Sequence, residues 1–105
     1  KMIAKIDGQI NWQKSAKEIN RQILAFTPWP GSFADLKIKH KIIRVKILTS
    51  KAVEDPSFAS PGDWQIKNGE LHVRCGKGSL KIESVQPEGK HEITSEQFIN
   101  GYLRK

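Results

Sequence analysis

Cysteine is almost absent from this sequence, and long apolar runs are missing altogether. The chain has one cysteine, Cys75, and three scattered histidines, so an internal disulfide is excluded and no zinc-binding spacing is recognisable. No stretch approaches the roughly 18 consecutive apolar residues of a membrane span, and the start lacks the apolar core of a signal peptide. We therefore expect a cytoplasmic protein that binds no metal and does not enter a membrane.

Motifs for catalysis are also missing. The sequence contains no G-x-S-x-G, no H-E-x-x-H and no glycine-rich phosphate loop, and Gly76-Lys77-Gly78-Ser79 is too short to be one. Cys75 lies in an alternating segment without a local histidine motif, which favours a structural thiol. The sequence predicts no catalytic residue and no bound cofactor in this chain.

The charge that is present is strongly basic and unevenly distributed. The 105 residues, enough for a single domain over 1–105, include 18 Lys and Arg against 11 Asp and Glu, a formal net charge of +7. Residues 1–51 hold 11 basic and 3 acidic side chains, whereas residues 52–105 hold 7 and 8. This excess in the first half is suited to a polyanion, either nucleic acid or an anionic membrane surface.

A helix is predicted near the start of the chain. Ser15 and Glu18 have the spacing of a capping box, which places the first helical residue near Ala16. The connector 27–31, Thr-Pro-Trp-Pro-Gly, ends the helix because two of its residues are prolines. Apolar residues recur every three or four positions on one side of this helix, at Ala16, Ile19, Ile23 and Phe26.

Alternating apolar residues after the connector predict five antiparallel strands and a final helix. A hairpin covers Leu36 to Ile47, and Asn68-Gly69 and Gly76-Lys77-Gly78 are short turns that exclude parallel crossovers. The later strands are Trp64 to Lys67, Glu70 to Cys75 and Ser79 to Val85, and the last helix carries Phe98, Ile99, Tyr102 and Leu103. This order predicts a mainly β (α+β) fold, a small open antiparallel β-barrel resembling the oligonucleotide-binding fold with a helix near each terminus.

Basic residues are densest in the predicted hairpin. Five cations there, surrounding His40, are Lys37, Lys39, Lys41, Arg44 and Lys46. Alternation predicts that they share the outer face of both strands, where like charges repel unless a phosphate-bearing partner binds. The alternative is a solvated edge that lysines protect from aggregation. Arg74 and Lys77 flank the turn at Gly76 and would either extend a basic groove or be ordinary surface residues.

The three tryptophans carry a different prediction. Trp12 precedes a capped helix, Trp29 lies between prolines, and Trp64 opens a strand beside a Pro-Gly turn. Exposed aromatic rings stack on unpaired bases. These contexts instead favour packing anchors.

Several segments, in this order, resemble the C-terminal domain of methionyl-tRNA formyltransferase. They are Ile10-Asn11-Trp12 before the first helix, Ala25-Phe26-Thr27-Pro28-Trp29-Pro30-Gly31, and Val85-Gln86-Pro87-Glu88-Gly89-Lys90 followed by Phe98, Gly101 and Leu103. Together they span nearly the whole chain. The hairpin near Lys39-His40-Lys41 departs from the family in lacking the glycine that relatives often carry there.

The resemblance implies a role in a two-domain enzyme. In that family an N-terminal Rossmann-like domain transfers a formyl group from 10-formyltetrahydrofolate to the amino group of methionine on initiator tRNA. The catalytic residues belong to that domain, so the resemblance assigns no catalytic or folate-binding residue to this chain. The family's C-terminal domain is a barrel whose positive side helps to hold the tRNA. Its expected partners are initiator methionyl-tRNA and its own catalytic domain, in a monomeric protein.

Two other functions fit the same sequence. One is a scaffold domain of a formyltransferase that acts on a nucleotide sugar or on folate, for which a basic hairpin is unnecessary. The other is a free-standing RNA-binding module. Against the latter, the chain begins at Lys1-Met2, within a segment that the resemblance treats as interdomain, which suggests an excised piece.

Overall fold

The computed structural model describes residues 9–27, 31–54 and 60–103. These residues contain two helices and six strands. The predictions for Trp29, for the prolines beside it and for Lys1-Met2 lie outside these residues. The elements are α1 (Ala16–Phe26), β1 (Ser32–Ile38), β2 (Lys41–Val53), β3 (Trp64–Lys67), β4 (Glu70–Arg74), β5 (Ser79–Pro87), β6 (Ile93–Thr94) and α2 (Ser95–Phe98), which continues as a π-helical turn (Ile99–Leu103).

The strands form one antiparallel sheet in the order β1-β2-β5-β4-β3, with β6 paired to β5. The 13-residue strand β2 pairs with β1 along its first part and with β5 along most of its length. Register shifts between Ile47 and Ser50 mark an irregularity of the kind that bends a strand and increases its twist. The expected mainly β open barrel is confirmed, with β6 as a short strand that the sequence did not predict.

Helix α1 begins where the sequence predicts. The Ser15 side chain accepts a hydrogen bond from the Glu18 backbone N–H, and the Glu18 carboxylate accepts one from the Ser15 N–H. These bonds to Ser15 lower the pKa of Glu18. Ile19 and Ile23 are fully buried, so the apolar side of α1 covers the barrel core.

The C-terminal helix packs on the sheet, as expected. Thr94 caps it in a second capping box with Gln97, and Phe98 and Ile99 are buried in the core. The ring of Tyr102 stacks on Phe98 at a centroid distance of 4.9 Å. At the other end of the chain Trp12 packs against the same core, and so does Trp64. The interpretation of these two tryptophans as packing anchors is confirmed.

Candidate nucleic-acid interface

The β1–β2 hairpin presents one set of side chains to solvent. Its register pairs Phe33 with Lys46, Asp35 with Arg44, and Lys37 with Ile42. Directly paired residues in an antiparallel ladder lie on the same side of the sheet. Most of the alternate residues of both strands, including Ala34, Leu36 and Val45, are buried. We call the outward set the hairpin face; its members are Phe33, Asp35, Lys37, Ile42, Arg44 and Lys46.

No cation of the hairpin face directly opposes another cation. The Arg44 guanidinium donates to both carboxylate oxygens of Asp35, with Nε to Oδ1 at 2.9 Å and Nη2 to Oδ2 at 3.3 Å. This hydrogen bonding lowers the pKa of Asp35 and raises that of Arg44. The Lys46 ammonium lies 5.7 Å from the centre of the Phe33 ring, within the range of a cation–π contact. The expected repulsion between opposed cations is therefore wrong, because the register interleaves each cation with a different partner.

Lys41 does not belong to the hairpin face, which corrects the prediction that all five cations share it. Lys41 pairs with the buried Ile38, and its position has the same parity as Val45 on the inner side. It remains exposed because it begins its strand. Lys39 lies in the two-residue turn with φ of 57°, a conformation that glycine, asparagine and aspartate adopt more readily than lysine.

Arg74 is held inside the turn that it precedes. Its Nη1 donates to the carbonyl oxygen of Gly78 at 2.6 Å and also to that of Cys75. The same turn is fixed to the start of α1, since Ala16 N–H donates to the Lys77 carbonyl at 2.9 Å. Gly76 approaches the helix start so closely that a Cβ there would lie 1.9 Å from the Gln13 carbonyl oxygen. The guanidinium of Arg74 is thus engaged in local structure.

Lys77 lies near the end of β2 that is opposite the hairpin turn. The Gly76–Gly78 turn leads into Ser79, which pairs with Val53 at the end of β2, whereas the hairpin turn precedes the start of that strand. Lys77 instead lines a cleft of about 390 Å³ together with Lys17. Sequence reasoning did not include Lys17 in the site. No spacing pattern places these two lysines at one cleft, because the cleft forms only where the turn packs on α1.

The described residues contain little that supports chemistry. Cys75 is buried, and desolvation raises the pKa of its thiol to about 11, so the reactive thiolate is scarce at neutral pH. Across residues 9–27, 31–54 and 60–103 no three His, Cys, Asp or Glu side chains are grouped to hold a metal ion. No helix in that part of the chain is long and apolar enough to cross a bilayer.

The fold is similar to that of a segment in solved structures of HypX from Aquifex aeolicus. HypX in complex with tetrahydrofolic acid superposes with a TM-score of 0.75 at 15% identity, over 97% of this chain and 18% of that chain. A variant of the same protein that carries several substitutions gives a TM-score of 0.76 at 15% identity, over 98% of this chain and 19% of that one.

The comparison of sequences finds relatives with higher identity than these solved structures. Methionyl-tRNA formyltransferase of Rickettsia bellii is 35% identical over 100 residues, which is 95% of this chain and 31% of that protein. The enzyme of the same name from Marinobacter nauticus is 37% identical over 100 residues, 94% of this chain and 31% of its own length. The chain thus spans about a third of these relatives. Residues 2–103 match the family described as formyl transferase, C-terminal domain. The chain therefore belongs to the C-terminal domain family of formyl transferases.

Proposed function

We propose that this chain is the single tRNA-binding C-terminal domain of a cytoplasmic, monomeric methionyl-tRNA formyltransferase. It holds initiator methionyl-tRNA while a preceding Rossmann-like domain transfers a formyl group from 10-formyltetrahydrofolate. The names of the relatives, and the third of their length that the chain matches, support this assignment. The folate co-substrate belongs to the catalytic domain, and this segment binds none.

The observation that carries the proposal is that two lysines of the hairpin face have no carboxylate neighbour among the described residues. Within the described residues, no carboxylate lies within 4 Å of the ammonium groups of Lys37 and Lys46. Two other outward lysines on the sheet do have carboxylate neighbours, Lys51 with Glu83 at 3.9 Å and Lys81 with Glu70 at 3.4 Å. A lysine with no carboxylate neighbour is available to neutralise a phosphate, which releases counterions condensed on the nucleic acid, so these positions favour a nucleic-acid backbone.

The remaining basic residues contribute to tRNA binding to different extents. Lys39 and Lys41 extend the positive potential around the hairpin turn, and Arg44 contributes less because Asp35 neutralises it. Lys77 contacts a second stretch of backbone beside Lys17. Arg74 positions Lys77 by holding the turn. Such contacts orient the tRNA without reading its sequence.

The test is the salt dependence of tRNA binding by paired charge variants. Lys37→Ala with Lys46→Ala removes two cations from the hairpin face. Lys51→Ala with Lys81→Ala removes the same charge from strand positions that have acidic neighbours. We expect the first pair to reduce the slope of log K against log salt by roughly 1.4 to 1.8, at about 0.7 to 0.9 per phosphate contact, and the second pair to change it far less.

Two outcomes contradict the proposal. Equal reductions by both pairs would mean that net charge, and not the hairpin face, governs binding. Absence of salt-dependent tRNA binding by the unsubstituted chain at low ionic strength would favour the scaffold role in a formyltransferase that acts on a nucleotide sugar or on folate.

A further inference from the structure

An isoleucine lies among the cations of the hairpin face. The side chain of Ile42 is 72% exposed and stands directly opposite Lys37. In the described residues Leu24, on the solvent side of α1, is the one other large apolar side chain exposed to this degree. The two residues therefore have equal exposure but different surroundings.

A single exposed apolar residue needs no special explanation on most protein surfaces. The position of Ile42 is what distinguishes it. Alternate residues of a strand are about 7 Å apart, so Ile42, Arg44 and Lys46 form a row of roughly 13 to 14 Å on one side of β2. A ligand whose phosphates reach both Lys37 and Lys46 crosses the Asp35–Arg44 pair and lies beside Ile42, which is the cross-strand neighbour of Lys37.

Phosphate contact alone makes no use of an apolar side chain. Double-stranded RNA exposes base edges and riboses in a wide, shallow minor groove, and the ribose carbons beside the 2′-hydroxyls are the surface that an apolar side chain can cover. The minor groove of B-form DNA is only about 6 Å wide and is deeper, so it admits such a side chain less readily.

We propose that Ile42 packs into the minor groove of a double-helical segment of the tRNA while the lysines beside it contact the flanking phosphates. This inference rests on the proposed function and adds to it a contact that does not depend on salt. It also makes the hairpin face selective for duplex RNA over duplex DNA. A lipid surface is the less suitable partner, because interfacial binding requires a broad apolar face and the described hairpin offers one exposed isoleucine.

The test compares variants of the two equally exposed residues. Ile42→Ala and Ile42→Thr remove apolar area, the threonine keeping the branched shape that strands favour, and Leu24→Ala is the matched control. Binding is measured to tRNA, to RNA and DNA duplexes of one sequence, and to phosphatidylserine vesicles, across a salt series. We expect the Ile42 variants to lose roughly three- to tenfold in affinity for tRNA and for duplex RNA, with the salt slope unchanged. Leu24→Ala should bind like the unsubstituted chain.

Each alternative outcome has a distinct meaning. If the Ile42 variants bind tRNA normally while Lys37→Ala with Lys46→Ala reduces the slope, this inference fails and the proposed function stands. If the unsubstituted chain binds no RNA, both fail. If loss at Ile42 abolishes binding to phosphatidylserine vesicles and leaves tRNA affinity intact, the partner of this residue is a lipid surface and the inference is overturned.

Discussion

The indole Nε1 of Trp64 donates a hydrogen bond of 3.1 Å to the backbone carbonyl oxygen of Lys37. Trp64 begins β3 and Lys37 lies in β1, the two outermost strands of the order β1-β2-β5-β4-β3. The bond therefore joins the two edges of a curled sheet and supplies a donor to an edge carbonyl. Because Lys37 belongs to the hairpin face, barrel closure and the proposed phosphate contact depend on the same short stretch of backbone.

Substituting this indole tests its contribution to closure. Trp64→Phe keeps an aromatic ring and removes the donor, whereas Trp12→Phe makes the same change at a partly buried tryptophan that packs on the same core. We expect Trp64→Phe to lower the free energy of unfolding by about 0.5 to 1.5 kcal/mol more than Trp12→Phe, the usual net value of one hydrogen bond. Urea unfolding measures both. Equal losses would show that the ring, and not its N–H, holds the edges together.

The sequence predicted the local parts of this fold and missed the nonlocal ones. The capping box at Ser15 and the Asn68-Gly69 turn were identified because each depends on residues that are close in sequence. The pairing of β2 with β5 was not predicted, because alternation specifies which side of a strand is apolar and not which strand lies beside it. The edge contact of Trp64 with Lys37 was missed for the same reason.

The candidate site was predicted from the local density of basic residues. The predictions that were wrong concern how residues of neighbouring strands are paired. Asp35 lies just before the basic stretch, so its pairing with Arg44 became visible only with the register. Lys41 was wrongly predicted to lie on the outer face. It is four residues from the buried Val45, and residues an even number apart lie on the same side of a strand. The turn containing Lys77 was predicted, but its docking on α1 was not.

Arg74 is expected to affect stability far more than binding. Arg74→Met keeps the apolar stem and removes the guanidinium that donates to the carbonyl oxygens of Cys75 and Gly78. We expect a loss of about 1.5 to 3 kcal/mol in the free energy of unfolding, because a hydrogen bond from a charged donor is lost. The salt slope of tRNA binding should fall by no more than Lys77→Ala lowers it, because Arg74 acts on binding only through Lys77. Arg74→Lys, which retains a charged donor, should recover part of the stability.

A large effect of Arg74→Met on binding without an effect on stability would give Arg74 a different role. If Arg74→Met reduced the salt slope by nearly one phosphate contact and left the unfolding curve in place, then Arg74 would contact tRNA directly. A double variant with Lys77→Ala separates the two cases. Under the positioning role, the double variant has the same slope as Lys77→Ala alone, whereas a direct contact by Arg74 would reduce the slope of the double variant further.

The buried thiol of Cys75 makes stability depend on pH in the alkaline range. Its pKa is raised from 9.0 to about 11 by desolvation, so between these values the folded chain keeps a proton that the unfolded chain releases. The contribution is fully present below pH 9 and is lost as the pH rises toward 11, by about 2 to 3 kcal/mol in total. Urea unfolding at pH 8 and pH 10.5 should show this decrease.

A matched variant isolates the thiol from other groups that titrate in alkali. Cys75→Ala should lower stability at both pH values, because it leaves a small cavity, but should remove the share of the pH dependence that the thiol contributes. A thiol reagent at pH 8 provides a second measurement, since native Cys75 should react at least about 100-fold more slowly than the chain unfolded in urea. Rapid modification of the folded chain would contradict the raised pKa.

Asp35 is expected to weaken the binding that its neighbours provide. Asp35→Asn removes the carboxylate that pairs with Arg44 and leaves the guanidinium available to a phosphate. We expect tRNA affinity at low salt to rise about two- to fivefold and the salt slope to steepen by up to roughly 0.7 to 0.9, the contribution of one more phosphate contact. The free energy of unfolding should change by less than about 1 kcal/mol, because the pair is exposed.

A second carboxylate provides the control for this effect. Glu83→Gln removes the same unit of charge from the exposed Glu83–Lys51 pair, which lies outside the hairpin face. If tRNA binds at the hairpin face, Asp35→Asn should strengthen binding clearly more than Glu83→Gln, because only the former frees a cation where phosphates are held. Equal gains would indicate a response to net charge alone. A gain confined to Glu83→Gln would move the interface toward Lys51, along β2.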